Sequence, residues 1–228
     1  MKAVVLFVCM LSMLFAVGTV EYVKGDVTIQ REGEWVVAQK EMAFRSSDRF
    51  VTEKGSVARL KFDDGTLVTL GSNTNFMVDS YRYEEGQSAS RAKFSIVSGA
   101  FKVITGKIAQ VAPANFTLKT RTSVIGIRGT VIFGEVAKSG ADRFACAKGA
   151  LSVTATNGAS AVLNAGEMTT VAPNAAPTKP QPIDWSLFEL AGNPLVLIVA
   201  AAAIALIIGA AVAFIIIKRR AKKHTRAN

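Results

Sequence analysis

Histidine and cysteine are almost missing from this chain of 228 residues, which has one histidine, His224, and two cysteines, Cys9 and Cys146. A Ser-His-Asp or Cys-His site needs a histidine beside its nucleophile, and His224 stands in a basic C-terminal tail. The chain also has no Cys-His cluster with zinc spacing and no calcium-loop pattern. The sequence therefore predicts no catalytic residue, no metal and no cofactor.

Charged residues are missing from two long stretches near the ends. Residues 3–17 are mostly apolar and precede Gly18, which predicts a secretory signal peptide over residues 1–18, with an uncleaved anchor as the alternative. Residues 195–217 carry no charge and, as a helix, would span about 34 Å, which predicts a transmembrane helix. Residues 218–228 hold six Lys or Arg, which predicts a cytoplasmic tail and a single-pass protein of the inner membrane. The intervening chain would then face the periplasm or the exterior.

The net charge of +10 is concentrated at the chain ends. Without Lys2 and the tail, 20 basic residues stand against 17 acidic ones, so the overall charge gives no support for nucleic-acid binding. The basic tail is better explained as a topology signal that also contacts anionic lipid headgroups.

A helical period is missing from residues 19–172, where short alternating runs are interrupted by turn residues. This pattern predicts an all-β domain with three legible hairpins, "VTIQREGEWVVA", "VARLKFDDGTLVTL" and "VIFGEVAKSGADRFACA". Cys146 lies in an alternating run, which favours a buried structural thiol over an intermolecular partner.

The second hairpin has a register that the sequence can decide. A two-residue Asp64-Gly65 loop would set Leu60 opposite a threonine, apolar against polar. A three-residue loop over residues 63–65 sets Leu60 opposite Val68, so we predict that loop, with Gly65 in the left-handed region.

Proline is scarce, and four of the six prolines lie in "PNAAPTKPQP" after Val171. This composition predicts that residues 173–194 form a semi-rigid spacer and a juxtamembrane segment. Trp185 and Phe188 are placed there where aromatic rings favour the headgroup interface of a membrane.

Acidic residues are missing from residues 86–134, which carry seven basic ones. This charge makes an anion-binding surface a candidate function, although an exposed basic sheet face without a ligand would have the same pattern. Alternation in "NFTLKTRTS" predicts that Lys119 and Arg121 share a solvent face. The candidate binding residues are Lys102, Lys119, Arg121 and Arg128.

The adjacent carboxylates Asp63-Asp64 and Glu84-Glu85 each precede a glycine, which is typical of turns. Neighbours in an extended chain also point to opposite faces, so neither pair suits the two-carboxylate chemistry of a glycosidase. A carbohydrate-active enzyme remains an alternative only if distant strands bring carboxylates together.

The stretch "SVIGIRGTV" could be a phosphate-cradling loop or a kink in a strand. No Lys-Ser or Lys-Thr pair follows Gly129, which excludes a Walker loop, and the strand context disfavours the G-x-x-G loop of RNA-binding domains. The alternation reverses near residues 122–124, which predicts a bulge or corner that turns Ile125 and Ile127 inward. Gly126 and Gly129 would allow tight bending or a close approach of the backbone. Arg128 would then point away from the core, onto a carboxylate such as Asp63 or Asp64.

From residue 25 to residue 171 the chain resembles the FecR domain family, in motifs such as "GSVARLKFDDGTLVTLGSNTNF", "SGAFKVITGK", "NFTLKTRTSVIGIRGT" and "AGEMTTV". The resemblance implies a roll-like or sandwich-like domain of short antiparallel strands in the periplasm. It also marks two structural motifs, Asp64-Gly65-Thr66 and the stretch that contains Gly126, Gly129 and Thr130.

Regulators of this family relay the state of an outer-membrane transporter to a sigma factor through a cytoplasmic segment before their membrane helix. This chain departs from that plan, because a signal-like segment precedes its domain and its tail has 11 residues. Residues 120–122 read Thr-Arg-Thr where many relatives have a proline, and "SSDRF" stands where many have Gly-Asp. The resemblance therefore transfers the fold and leaves the sigma-factor mechanism open.

These observations predict a membrane-anchored FecR-type binding or sensing module that recognises a protein or an envelope component without catalysis. The alternative is a structural scaffold of the cell envelope. Ala205, Gly209 and Ala213 recur at four-residue spacing in the predicted membrane helix, which favours weak self-association there.

Overall fold

The computed structural model describes residues 16–191, apart from the side chain of Arg128. The predicted membrane helix over residues 195–217, the tail over 218–228 and all but the last three residues of the predicted signal peptide lie outside this part. Within the described residues, no helix has both the length and the apolar character that crossing a membrane requires.

Fifteen strands hold more than half of the described residues. They are β1 (Ala16–Lys24), β2 (Val27–Arg31), β3 (Glu34–Val37), β4 (Ala43–Arg45), β5 (Arg49–Thr52), β6 (Val57–Phe62), β7 (Leu67–Leu70), β8 (Asn75–Arg82), β9 (Arg91–Ile104), β10 (Phe116–Lys119), β11 (Ser123–Val136), β12 (Asp142–Ala155), β13 (Ser160–Asn164), β14 (Glu167–Val171) and β15 (Gln181–Pro182). The helical elements are α1 (Ile108–Val111) and three 3₁₀ turns, η1 (Pro113–Asn115), η2 (Trp185–Leu187) and η3 (Glu189–Ala191). The prediction of an all-β domain is confirmed.

Strand β9 connects the parts of the sheet. Its first half pairs with β8 and β10, and its second half pairs with β7 and β11. From β9 one arm runs through β7, β6 and β1 to β4, and the other runs through β8 and β5 to β2 and β3. The two arms turn toward each other, which gives the roll-like arrangement.

Phenylalanine rings fill the space between the two arms. Phe44 on one arm contacts Phe50 on the other edge to face, with ring centres 5.4 Å apart. Phe62 contacts Phe94 at 4.9 Å, and Phe94 contacts Phe116 at 5.6 Å. Such ring pairs add about 0.5–1.5 kcal/mol each beyond the area they bury, so the chain of rings fixes the arms against each other.

One pairing differs from the expected antiparallel pattern. Strand β10 runs parallel to the first half of β9, with Leu118 opposite Phe94. Parallel neighbours need a crossover, and the segment with α1 and η1 supplies it. A short amphipathic turn of this kind leaves no helical period in the sequence.

The register of the second hairpin is confirmed. Leu60 lies opposite Val68, and Ala58 lies opposite Leu70. Gly65 has φ of +84°, as the three-residue loop requires. The other two predicted hairpins are also present, as β2–β3 and as β11–β12.

The first strand includes residues that the sequence assigned to the signal peptide. Strand β1 begins at Ala16, which pairs with Arg45, while Gly18 pairs with Phe62. A Cβ atom at Gly18 would lie 2.3 Å from the Lys61 carbonyl oxygen, so glycine is required there. Cleavage after Gly18 stays a prediction.

Candidate functional site

The turn at residues 63–65 is built around a buried carboxylate. Asp64 is 2 % exposed, and its Oδ1 accepts hydrogen bonds from the Thr66 amide at 3.0 Å and from the Tyr81 hydroxyl at 3.1 Å. Its Oδ2 accepts from the Thr66 hydroxyl at 2.9 Å and from the Ile108 amide at 3.1 Å. Burial and the Asp64 charge raise the pKa of Tyr81, so its hydroxyl stays protonated as a donor.

The same turn fixes the crossover between β9 and β10. The Gly106 amide donates to the Thr66 hydroxyl at 2.9 Å, and the Lys107 amide donates to the Asp64 carbonyl at 2.9 Å. A Cβ atom at Gly106 would lie 2.3 Å from that carbonyl oxygen. Asp64, Gly65 and Thr66 therefore act as a structural clamp, with the Asp64 oxygens occupied by these donors.

The glycines of "IGIRGT" shape a bent strand. Gly126 pairs with Ser152 and leaves room for its side chain, since a Cβ there would lie 2.7 Å from the Ser152 hydroxyl. Gly129 has φ of +61° at a β-bulge, opposite Gly149 with φ of +81°. A Cβ at Gly149 would lie 2.3 Å from the Gly129 carbonyl oxygen. The stretch is thus a bend of the sheet.

The reversal of alternation has a separate cause. Strands β10 and β11 form a tight hairpin, in which the Thr120 amide donates to the Ser123 carbonyl at 2.8 Å. After this turn Ile125 and Ile127 are buried, as expected. The bulge at Gly129 comes later and shifts β11 from pairing with β10 to pairing with β9, where Thr130 donates its amide to the Thr105 hydroxyl.

Lys102 differs from the expected exposed cation. It is only 5 % exposed, and its Nζ lies 5.0 Å from the centre of the Phe133 ring. Burial, and to a smaller extent the charge of Arg59, lower the pKa of Lys102. The neighbouring aromatic face compensates part of the lost hydration, so Lys102 has a packing role in this structure.

Arg121 is exposed but its guanidinium is engaged. It donates to the Lys138 carbonyl at 2.6 Å and to the Ala137 carbonyl at 3.3 Å, which ties the β10–β11 turn to the β11–β12 loop. Lys119 is exposed on β10, as expected. Arg128 lies on β11 opposite Ala150, and its side chain lies outside the described part.

Two further buried carboxylates were not expected from the sequence. Asp142 is fully buried and accepts from the Thr120 and Thr122 hydroxyls, while Asp48 is 1 % exposed and accepts from the Arg31 guanidinium at 2.6 Å. Both begin an Asp-Arg-Phe tripeptide at the start of a strand, at residues 48–50 and 142–144. This repeat is the signal that could have identified them. It also explains the Thr-Arg-Thr sequence, whose two hydroxyls serve Asp142.

The described residues offer no group of three or more His, Cys, Asp or Glu side chains that could hold a metal ion. Glu84 pairs with Arg82, and Glu85 pairs with Lys107 at 2.7 Å, both on the surface. Cys146 is buried, and its burial raises the pKa of the thiol. The carboxylates are therefore placed for structure and for surface ion pairs.

A basic patch remains accessible on the outer surface of β9 and β10. Lys93 lies beside Thr117, and Lys119 lies beside Ser95, so the two ammonium groups share one face. Arg91 follows on the same face of β9, and all three cations are exposed. We call Arg91, Lys93 and Lys119 the basic face.

The segment after β14 packs on the domain, which differs from the expected headgroup placement. We call residues 178–191 the strap. Thr178 donates its amide to the Thr170 carbonyl at 2.9 Å, and β15 pairs with β14. Phe188 is 2 % exposed and Leu190 is 1 % exposed, because both pack against the domain.

The end of the strap makes directed polar and aromatic contacts. The Trp185 ring meets the Phe133 ring edge to face at 5.2 Å. Glu189 accepts from the Ser72 amide at 3.0 Å, and its own amide donates to the Glu135 carboxylate at 2.6 Å. Burial, and secondarily the charge of Glu189, raise the pKa of Glu135.

Comparison with solved structures gives two crystal structures of a candidate anti-sigma factor from Parabacteroides distasonis. They are 15 % and 16 % identical to this chain, with TM-scores of 0.49 and 0.48. In both, 60 % of this chain matches 60 % of the other, so the chain spans less than two thirds of their length. A cell surface anchoring domain matches 26 % of this chain and 80 % of its own, at 24 % identity and a TM-score of 0.26.

The family comparison is independent of those structures. No curated protein matches this chain. The family model described as "FecR protein" matches residues 48–152, which run from the first Asp-Arg-Phe tripeptide through both structural motifs. The resemblance of this chain to the FecR family is therefore confirmed over residues 48–152.

Proposed function

We propose that this chain is a non-catalytic sensing module, anchored in the inner membrane, whose β domain recognises a protein or an envelope component outside the cytoplasm. The FecR match supports the signalling or sensing part of this proposal. The anchoring part rests on the uncharged segment 195–217 and the basic tail that follows it.

The observation that carries the proposal is the strap. A spacer that only separated a domain from a membrane would have no reason to bury Phe188 and Leu190 against that domain. The strap ends at Ala191, four residues before the uncharged segment begins. The strap thus holds the chain against the domain as far as Leu190.

The basic face is the surface that we assign to recognition. Lys93 and Lys119 are exposed on neighbouring strands and lie in a stretch without acidic residues. Lys102 and Arg121 are already engaged within the domain. A partner that suits the basic face carries carboxylate or phosphate groups on its surface.

The test places a photo-crosslinking residue at Thr117, between Lys93 and Lys119, in the full chain within its native envelope. We expect Lys93→Glu with Lys119→Glu to remove most of the captured partner. The matched control is Lys24→Glu with Lys54→Glu, which reverses two exposed charges elsewhere and should leave capture unchanged.

Two results would contradict the proposal. Capture that survives reversal of both lysines would show that the basic face is not the recognition surface. Equal loss in the control pair would indicate a response to net charge alone and would favour the alternative of a structural envelope scaffold.

A further inference from the structure

We propose that strand β3 is a pairing edge for a second copy of this chain. In this arrangement two β3 strands run antiparallel about a twofold axis at Val36. The inference goes beyond the recognition of an acidic partner, because it uses another surface, the free edge of β3.

Strand β3 is unusually exposed for an apolar strand. Trp35 is 53 % exposed, Val36 is 40 % exposed and Val37 is 67 % exposed. Within residues 16–191, β3 pairs only with β2, so one side of its backbone meets solvent. Free edges are normally blunted by lysine, proline or a bulge, and residues 34–37 contain none of these.

The backbone pattern shows which groups are available. Arg31 and Glu34 flank a two-residue turn and form a hydrogen-bonded pair. At the other end of the hairpin the Ala38 amide donates to the Val27 carbonyl at 2.9 Å, so these two residues also form a hydrogen-bonded pair. Pairs alternate along an antiparallel ladder, so the amide and carbonyl groups of Trp35 and Val37 point away from β2.

Only one twofold register uses all four of these outward groups within β3. When Val36 faces Val36 of the second copy, Trp35 faces Val37 and each such pair forms two hydrogen bonds. The side chains then form aromatic to β-branched pairs, which are among the favourable cross-strand pairs. A register with Glu34 on the twofold axis would set two carboxylates directly opposite each other, which is unfavourable.

Charge complementarity supports the same register. Extending the pairing sets Glu32 of one copy toward Lys40 of the other, on both sides of the axis. Both side chains are exposed, at 84 % and 69 %. This arrangement favours a second copy over an unrelated strand, since the chain itself supplies the apolar residues and the opposite charges in matching order.

The test is disulfide trapping of the full chain in membranes under mild oxidation. A non-hydrogen-bonded antiparallel pair brings Cα atoms to about 4.5 Å, within the range of a disulfide, so Val36→Cys should form a covalent dimer. The matched variant is Val37→Cys. In this register residue 37 of one copy lies diagonally across from residue 37 of the other, with Cβ atoms about 7 Å apart. We expect about fivefold more dimer from Val36→Cys than from Val37→Cys.

Three further samples complete the test. The parent chain measures any dimer from Cys9 and Cys146, and Val97→Cys measures random collision at another exposed valine. Adding Trp35→Lys to Val36→Cys should abolish the excess, although the membrane segment is unchanged. The proposal is overturned if Val36→Cys gives no more dimer than Val37→Cys or Val97→Cys, or if the lysine has no effect.

Discussion

Two of the edges of this branched sheet differ in whether the chain covers them. At the β14 edge the chain returns, pairs as β15 and continues as the strap over the outer surface near Phe133. At the β3 edge nothing among residues 16–191 covers the backbone, and Trp35 faces solvent. The comparison teaches that the chain covers the β14 edge with its own C-terminal segment and leaves the β3 edge available for pairing.

The largest expected effect on the free energy of unfolding comes from removing a buried ring of the strap. Phe188→Ala removes a ring that is 2 % exposed and should lower the free energy of unfolding by about 3 kcal/mol. Urea unfolding of the detergent-solubilised chain, followed by tryptophan fluorescence, measures this loss. Leu187→Ala is the control, because Leu187 is 37 % exposed and should cost well under about 1 kcal/mol.

The bend of the sheet at Gly129 and Gly149 should be the next most sensitive feature. Gly149→Ala would set a Cβ against the Gly129 carbonyl oxygen in a left-handed backbone, so we expect a loss of about 2–3 kcal/mol. Gly158→Ala has a similar φ of +87° but no neighbour within 4 Å, and should cost about 1 kcal/mol from backbone strain. Equal midpoints for the two variants in thermal unfolding would contradict the close approach of β11 and β12.

A lower pH should modestly stabilise the packing of the strap on the domain. The folded-state pKa of Glu135 lies above its ordinary value of 4.5, chiefly through burial. Protonated Glu135 stabilises the folded state. This stabilisation is fully present at pH values below the ordinary pKa and is lost as the pH rises through the raised folded-state pKa. Glu135→Gln keeps an acceptor for the Glu189 amide and should remove this pH dependence, as measured by proteolysis of the strap between pH 4 and 7. A pH dependence that persists in Glu135→Gln would assign it to another group.

The smallest effect on stability is expected at the open edge. Val37→Lys alters a side chain that is 67 % exposed, so the free energy of unfolding should change by less than about 0.5 kcal/mol. A loss above about 1 kcal/mol by the same urea assay would show that β3 is needed for the fold of one copy. The strap and β3 would then no longer differ in how much they contribute to the stability of one copy.

Local patterns predicted the hairpins because turn chemistry and alternation act over a few residues. The Asp63-Asp64-Gly65 loop predicted the register of Leu60, and the reversal of alternation near residues 122–124 predicted that Ile125 lies inside. The burial of Asp64 could not be read in the same way, because its partners Tyr81 and Ile108 are distant in sequence.

The packing of the strap on the domain could not be predicted from the sequence, for a physical reason. An aromatic and apolar segment after prolines has the same composition whether Trp185 and Phe188 face lipid headgroups or a sheet. The prolines of residues 173–182 predict a semi-rigid spacer, and Pro182 lies in the edge strand β15, where its missing donor is tolerated. The position of the Phe133 ring, which the Trp185 ring contacts edge to face, decides between these outcomes and has no local signature in the sequence.

The strap also has a mechanical consequence. Its contacts lie in sequence order, from Glu189 and Leu190 at the end to Trp185 and then the two-residue strand β15. A force applied at Ala191 would load them one after another, as in unzipping, and would not shear many bonds at once. The domain core, which is closed by the Phe44–Phe50 contact between its arms, lies outside this load path. The strap contacts would therefore be released before the domain core carries any load.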